Sequence, residues 1–278
     1  MIKRFLKKDP TIASIRLSGV ISARSGVLGS SGINLADYEQ SIEKAFSLSK
    51  VKAVSLIINS PGGSPVQSAL ISGRIRQLAI EKNIPVYAFI EDLAASGGYW
   101  LACAADEIFA MEGSIVGSIG VITSGFGAVE AIKKIGIERR VYYEGDSKGM
   151  LDPFLPEQKD DIARLKDIQK DLHQQFITWV KERRGRRLKG SDKELFNASI
   201  WTGLNANNLG LIDGLGDYQT ILQERFGKKV KIRDFTKKPT WFKRRFSMGG
   251  NINKTANNLT ENILISLENK IHWARFGF

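Results

Sequence analysis

A chain of 278 residues is long enough to bury a full core, and its composition, 42% hydrophobic and 25% charged, is typical of a globular protein. The single cysteine excludes an internal disulfide framework, and no run of about 18 consecutive apolar residues predicts a membrane span. The basic segment up to Pro10 lacks the apolar stretch of a secretory signal, so a cytoplasmic location is expected.

The net charge of +12 is concentrated in two segments. Residues 181–189 contribute +5 and residues 225–245 contribute +9, which leaves the rest of the chain close to neutral. Such basic patches are typical of a surface that binds anionic lipid or nucleic acid. They are equally typical of solvated charges on a helix end and on a tail.

Apolar periodicity predicts strands and helices in alternation. The predicted strands cover residues 11–21, 51–58, 85–90, 107–111, 120–123 and 140–143, with short strand-like pieces at 200–203 and 211–213. The predicted helices cover residues 37–47, 66–81, 128–134, 157–184 and 218–226, with one more directly after Ser96 and a terminal one over 258–273. This order predicts right-handed βαβ units and a mainly parallel sheet, hence an α/β fold. We divide the chain into a basic N-terminal segment (1–10), one α/β domain (11–235) and a basic, partly amphipathic tail (236–278).

Ser96 lies where a buried strand is predicted to turn into a helix, in the sequence Glu-Asp-Leu-Ala-Ala-Ser-Gly-Gly-Tyr-Trp at 91–100. Small neighbours allow a tight turn and close approach of a substrate carbonyl, and the first N–H groups of the helix favour negative charge. The pattern Ala-x-Ser-x-Gly differs at one position from the nucleophile elbow Gly-x-Ser-x-Gly. A serine beside glycines is also a common turn or helix cap, so the motif alone leaves both interpretations open.

A nucleophilic serine needs a base. His173 lies within the predicted long helix and His272 in the tail, so neither is beside a turn. Lys148 is the best placed lysine, in Gly-Asp-Ser-Lys-Gly directly after a predicted strand. A lysine accepts a proton only where burial lowers its pKa, and a solvated surface charge is the alternative for any single lysine.

The sequence Asn-Ser-Pro-Gly-Gly at 59–63 leaves a buried strand with two consecutive glycines. Their N–H groups can face a tetrahedral oxyanion, with the N–H of Gly97 completing the pair, or the segment is a plain Pro-Gly turn. No Cys/His cluster has metal-ligand spacing, so we expect no metal and no cofactor.

Four blocks together resemble the signal peptide peptidase A (SppA) family of serine proteases, peptidase family S49, in its short single-copy bacterial form. They are Ile-Asn-Ser-Pro-Gly-Gly at 58–63, Ala-Ala-Ser-Gly-Gly-Tyr at 94–99, Gly-Ser-Ile-Gly-Val at 117–121, and Lys148 followed by Asp-Pro-Phe at 152–154. The resemblance covers roughly residues 10–227. It implies a crotonase/ClpP-like fold of repeated ββα/βαβ units with a mainly parallel sheet and a long helix after the core.

The resemblance also implies a Ser-Lys dyad, with Ser96 as nucleophile and Lys148 as general base. The backbone N–H groups of Gly63 and Gly97 match the oxyanion hole. The substrate-binding residues it implies are Gly62, Gly98, Ser118, Ile119 and Gly120, with an extended peptide added as a strand along 117–123. In the family the lysine reaches the serine from elsewhere in the assembly or from the other half of a doubled chain. For a one-copy chain this implies a homo-oligomeric ring with shared active sites, acting on peptides or unfolded polypeptides.

Members that act within the membrane usually carry an N-terminal anchor, which we do not find here. Peripheral contact of the basic aromatic segment 241–246 with the inner face of an anionic membrane is the alternative, and the helix at 258–273 suits a neighbouring protomer equally. Two other functions stay open: an acyl-CoA-handling crotonase relative, and a catalytically silent binding protein that uses the basic patches. Nucleic acid is the least favoured partner.

Overall fold

The computed structural model describes residues 9–23, 32–145, 147–236, 273–274 and 276. Its strands are β1 (Thr11–Ser18), β2 (Val51–Ser60), β3 (Val86–Ala95), β4 (Glu107–Ala110), β5 (Ile115–Gly117), β6 (Ile200–Thr202), β7 (Gly214–Leu215) and β8 (Lys231–Asp234). Its helices are α1 (Leu35–Phe46), α2 (Pro65–Lys82), α3 (Gly97–Ala102), α4 (Val129–Lys134), α5 (Lys159–Arg184), α6 (Asp192–Leu195), α7 (Gly203–Asn208) and α8 (Tyr218–Phe226), with a 3₁₀ turn at Gly185–Arg187.

One sheet organises the fold, with strand order β6-β5-β3-β2-β1-β8 and with β4 paired to β3 and β7. Every pairing is parallel except that of β5 with β6. The central strand β2 is buried along most of its length, as expected for a parallel sheet covered on both faces. The predicted α/β fold with a mainly parallel sheet is therefore confirmed.

The chain divides into two compact units. The first contains the sheet and consists of the residues up to 119 and from 179 onwards. On one face of its sheet, Phe89 and Phe109 stack with ring centroids 5.5 Å apart, and Leu222 of α8 belongs to the same buried cluster. Burial of this cluster attaches α8 to the sheet.

The second unit, residues 120–178, has almost no interior of its own. Among its described residues from 120 to 175 none is buried, and Phe176 is the first buried side chain. The apolar side chains of α5 are therefore only partly covered, and Ile168 is 46% exposed. A segment with so little buried apolar surface lacks the main term that stabilises a folded domain.

Several predicted strands were wrong. Residues 120–123 and 140–143 have no regular secondary structure, and residues 211–213 form bends before β7. Close to residues 120–123 the chain forms the strand β5 instead, at residues 115–117. These residues form a strand because they pair with β3 on one side and with β6 on the other. The sequence also missed β8, whose four residues are all exposed and show no apolar alternation.

Three arginines of the basic segment 181–189 form ion pairs within the protein, so only part of its charge is open to solvent or to a partner. Arg183 pairs with Asp106, and both Arg184 and Arg187 pair with Asp213. These arginines therefore attach the last residues of α5 and the following turn to the rest of the first unit. The second basic segment reaches beyond the described residues, as do the aromatic segment 241–246, most of the predicted helix 258–273 and most of the two terminal segments.

Candidate active site

Ser96 occupies the one-residue turn between β3 and α3, as predicted. Its φ of +52° and ψ of −124° are backbone angles that a residue with a side chain rarely adopts. Its N–H donates to the carbonyl of Gly117 at 2.8 Å, and its carbonyl accepts the N–H groups of Tyr99 and Trp100. The Ser96 residue is half-buried, and no described residue forms a hydrogen bond with its hydroxyl. The turn thus has the strained strand-to-helix geometry of a nucleophile elbow.

Glycines allow the Ser96 turn and the 59–63 loop to meet through their backbones. A β-carbon on Gly62 would lie 2.8 Å from both the nitrogen of Gly97 and the β-carbon of Ser96. A β-carbon on Gly98 would lie 2.4 Å from the carbonyl oxygen of Ser60. Side chains are therefore sterically excluded at both positions.

The backbone nitrogen of Gly63 lies close to the backbone of Gly97. The N–H of Ile21 donates to the carbonyl of Gly62 and the N–H of Ser64 donates to the carbonyl of Ile21, both at 2.8 Å, which leaves the N–H of Gly63 out of the pairing. A β-carbon on Gly97 would lie 3.4 Å from the nitrogen of Gly63. In the described part of the chain neither N–H has an acceptor. Together they can receive an anionic oxygen.

The backbone of residues 117–119 is already bonded. The carbonyl of Gly117 accepts from Ser96, the N–H of Ser118 donates to Ser199 at 2.7 Å, and the carbonyl of Ile119 accepts from Ala198. These bonds lie within the first three residues of the segment 117–123, where strand addition by a peptide stays a prediction.

Lys148 lies in the second unit, in a turn where its N–H donates to the carbonyl of Gly145 at 3.0 Å. Its side chain is exposed, and no described residue pairs with its ammonium group. Further along this loop, Asp152 accepts hydrogen bonds from Arg139, at 2.8 and 3.2 Å, and from the N–H of Phe154. These bonds hold the pKa of Asp152 below its ordinary value. Ser96 and Lys148 belong to separate units, and the structure describes each half of the expected dyad by itself.

A buried polar network behind α3 was missed by the sequence analysis. Arg184 is only 2% exposed and donates to Asp213 at 2.6 Å and to the carbonyl of Gly210 at 2.9 Å. The hydroxyl of Tyr99, in α3, donates to the carbonyl of Leu211 at 2.7 Å. Burial raises the pKa of Asp213, but the hydrogen bond and charge of Arg184 outweigh it, so the pKa is lowered.

A sequence signal for Arg184 existed: it follows Phe176 and Val180 at helical spacing of four, which puts a charge on the buried side of α5. The network supports the helix that begins directly after Ser96. Near it, burial raises the pKa of the Cys103 thiol to about 11.

Comparison with known proteins places this architecture in a family. Residues 79–232, more than half of the chain, match the family model described as peptidase family S49. The chain belongs to peptidase family S49. This S49 chain is 45% identical, over 99% of its length, to a Brucella abortus protein named Na(+)/H(+) antiporter NhaA, of which it covers 38%. It is 35% identical, over 74% of its length, to the chloroplast serine protease SPPA of Arabidopsis thaliana, of which it covers 30%.

Among solved structures, a lysine-to-alanine mutant of the membrane-bound stomatin-specific protease 1510-N, in complex with a substrate peptide, matches 87% of the S49 chain and 98% of its own chain. The TM-score is 0.50 at 16% identity, which shows the fold alone. The S49 chain thus has the crotonase/ClpP-like fold. It spans about a third of the length of the two curated relatives named above. In its described portion, no helix is both long and apolar enough to cross a membrane.

Proposed function

We propose that this chain is a serine endopeptidase that hydrolyses extended polypeptides through an acyl-enzyme, with Ser96 as nucleophile and Lys148 as general base. The observation that carries the proposal is the Ser96 turn. A strained backbone holds an unbonded hydroxyl beside two N–H groups that have no acceptor in the described residues. The protease named among the curated relatives supports the same chemistry.

In this mechanism the Ser96 oxygen attacks the peptide carbonyl carbon as its proton passes to neutral Lys148. The carbonyl oxygen becomes an oxyanion and accepts hydrogen bonds from Gly63 and Gly97, each worth about 10²- to 10³-fold in rate. The intermediate collapses to an ester on Ser96, and Lys148 returns the proton to the leaving amine. Water, deprotonated by Lys148, then hydrolyses the ester and regenerates the hydroxyl.

A lysine must be buried to act as a base, and a second copy of the chain can bury it. An exposed lysine has a pKa near 10.4, roughly three units too high for a base at neutral pH, and burial lowers it. The unit that carries Lys148 exposes large apolar side chains, including Phe126 (89%) and Tyr142 (91%). We propose that copies of this chain cover these side chains in a homo-oligomeric ring and bring Lys148 to the Ser96 of a neighbour.

The substrate in this proposal is an extended chain such as a signal peptide or a misfolded polypeptide. Gly120 and the residues after it offer a backbone for strand addition, because no described partner takes their N–H and carbonyl groups before Ala128. The one cysteine is buried and fits a cytoplasmic location. We further propose peripheral contact of the basic tail with anionic membranes, which binding to anionic vesicles at low salt, lost at high salt, would test.

The decisive experiment is fluorophosphonate labelling with mapping of the modified peptide, in the parent and in Ser96→Ala and Lys148→Ala. Lys166→Ala is the matched control, since Lys166 is also an exposed lysine of the second unit. We expect labelling at Ser96, none in Ser96→Ala, and labelling slowed about 100-fold or more in Lys148→Ala alone. Absence of label in the parent, or equal rates in the two lysine variants, would contradict the mechanism.

Co-expression of Ser96→Ala with Lys148→Ala tests whether the site is shared between copies. Each variant alone is expected to be inactive. In a mixed ring with a head-to-tail arrangement, about a quarter of the sites combine an intact serine with an intact lysine. Recovery of peptidase activity supports the shared site, and its absence in verified mixed oligomers would confine the dyad to one chain.

A further inference from the structure

The ladder between β2 and β3 breaks just before both catalytic loops begin. The two strands pair from Val54 with Val86 up to Ile58 with Ile90, and the next pair is Ser60 with Ala94. One β2 residue, Asn59, therefore faces three β3 residues, 91–93. Beyond the break, β2 leads into the loop of Gly63 and β3 leads to Ser96. The backbone pairing is therefore interrupted at the point that determines the distance between the Gly63 loop and the Ser96 turn.

A side-chain hydrogen bond spans the break. The amide nitrogen Nδ2 of Asn59 donates to Oδ2 of Asp92 at 2.6 Å. The other amide atom, Oδ1, is buried and has no hydrogen-bond partner among the described residues. The bond to Asp92 is therefore the one described contact that orients this amide. The carbonyl of Asn59 also accepts the N–H of Gly19 at 3.0 Å, which joins the break to the segment that follows β1.

That segment continues to the oxyanion loop. Two residues after Gly19, Ile21 forms its two backbone hydrogen bonds with Gly62 and Ser64, on either side of Gly63. Asn59 thus bonds to β3, the strand that leads to Ser96, and to the segment after β1 whose Ile21 holds the residues on either side of Gly63. An oxyanion hole needs its donors about 2.7–3.1 Å from the developing charge, and misplacement by about 1 Å can cost 100-fold in rate.

On the basis of the Ser96 peptidase activity proposed above, we infer that Asn59 and Asp92 are a positioning pair whose hydrogen bond holds the oxyanion loop against the nucleophile turn. Neither residue touches the reacting atoms in this role. Asp92 is exposed, so the bond contributes little to global stability. Loss of the pair should therefore lower the rate at Ser96 far more than it lowers the resistance of the fold to urea.

A reciprocal exchange tests this inference. In N59D two carboxylates face each other at the break and repel, so we expect Ser96 labelling by a fluorophosphonate to slow 10- to 100-fold. N59D/D92N restores one amide and one carboxylate in reversed positions, and we expect labelling within about threefold of the parent. Glu107→Gln, which breaks an exposed pair with Arg225 at the start of β4, is the matched control and should leave labelling unchanged.

Hydrogen exchange of the amides in 59–64 and 95–99 gives a readout that does not need activity. Exchange should accelerate in N59D and return to the parent rate in the double variant. If the parent labels but N59D matches it, or the double variant is no better than N59D, the pair does not position the site. If the parent fails to label, the peptidase proposal fails, and unchanged exchange in N59D would then overturn the pair as well.

Discussion

Replacing Ser96 by glycine or by alanine separates the backbone strain of the turn from its chemistry. Both variants lose the nucleophile. Ser96→Ala keeps the β-carbon and therefore keeps the unfavourable φ of +52°. Because the hydroxyl has no hydrogen-bond partner in the described residues, its removal should change the free energy of unfolding little. Ser96→Gly removes the β-carbon and with it the strain.

The expected difference in the free energy of unfolding between the two variants follows from two opposing contributions. A non-glycine residue in a sparsely populated backbone region costs about 1–3 kcal/mol. Glycine loses about 0.5–1 kcal/mol more than alanine in conformational entropy on folding. We therefore expect Ser96→Gly to be more stable than Ser96→Ala by about 1 kcal/mol, equivalent to about 2–4 °C in Tm for a chain of this size.

Ser41 supplies the matched control because it lies inside the regular helix α1. There glycine should be less stable than alanine by about 1 kcal/mol, so the sign reverses between the two sites. Urea unfolding followed by tryptophan fluorescence measures both differences, provided that the dependence on urea concentration is unchanged. If Ser96→Gly were less stable than Ser96→Ala, as at Ser41, the turn would not be strained and the nucleophile assignment would lose its main support.

Three further predictions concern the surroundings of the turn. Gly97→Ala should slow fluorophosphonate labelling at least tenfold, because its β-carbon would lie 2.6 Å from the Ser68 hydroxyl oxygen; Ser68→Ala should partly restore it, and strictly additive effects would contradict this cause. Because burial raises the pKa of Cys103 from 9.0 to about 11, the folded state keeps its proton where the unfolded state loses it. Stability should then fall by about 1.4 kcal/mol per pH unit from pH 9 to 11, and Cys103→Ala should lack this component of the urea-measured slope. Arg184→Met should destabilise the fold by about 2–3 kcal/mol in urea at pH 7, because it removes the nearer of the two arginines that pair with Asp213 and leaves Arg187 as the other. Because the pKa of Asp213 is lowered in the fold, this loss should shrink as pH falls below about 4 and through that lowered pKa; an equal loss at every pH would contradict the ion-pair explanation.

Local signals in the sequence were sufficient for much of the fold. The helix predicted at 218–226 has those bounds in the structure, and the turn at Ser96 lies where the small residues predict it, although the strand before it continues to Ala95 and not only to residue 90. The strand expected at 120–123 failed because strand formation depends on partners distant in sequence. Residues 115–117 pair with residues 93–95 and 200–202, which no local pattern reveals.

In the candidate site, too, the sequence could predict the features that depend on local residues and not those that depend on distant partners. Glycines at 62, 63, 97 and 98 mark close backbone approach, so the sequence could indicate the position of the proposed oxyanion hole. The pairing of Asn59 with Asp92 could not be predicted, because it arises from a register break between strands separated by a whole helix. The burial of Arg184 depends likewise on an aspartate 29 residues away.

The two residues of the proposed dyad lie in parts of the chain that are stabilised in different ways, and this difference determines when peptide hydrolysis can occur. The nucleophile and the oxyanion donors belong to the unit that contains the sheet, and backbone hydrogen bonds hold them in place. The base belongs to a unit whose described residues from 120 to 175 include no buried side chain. In a separate chain the side chain of Lys148 is exposed, and a solvated ammonium group cannot accept the proton of Ser96. Under the proposed mechanism, the contact that covers the second unit is also the contact that makes Lys148 a base. Peptide hydrolysis would then require assembly, and a newly made, unassembled chain would not cleave polypeptides around it.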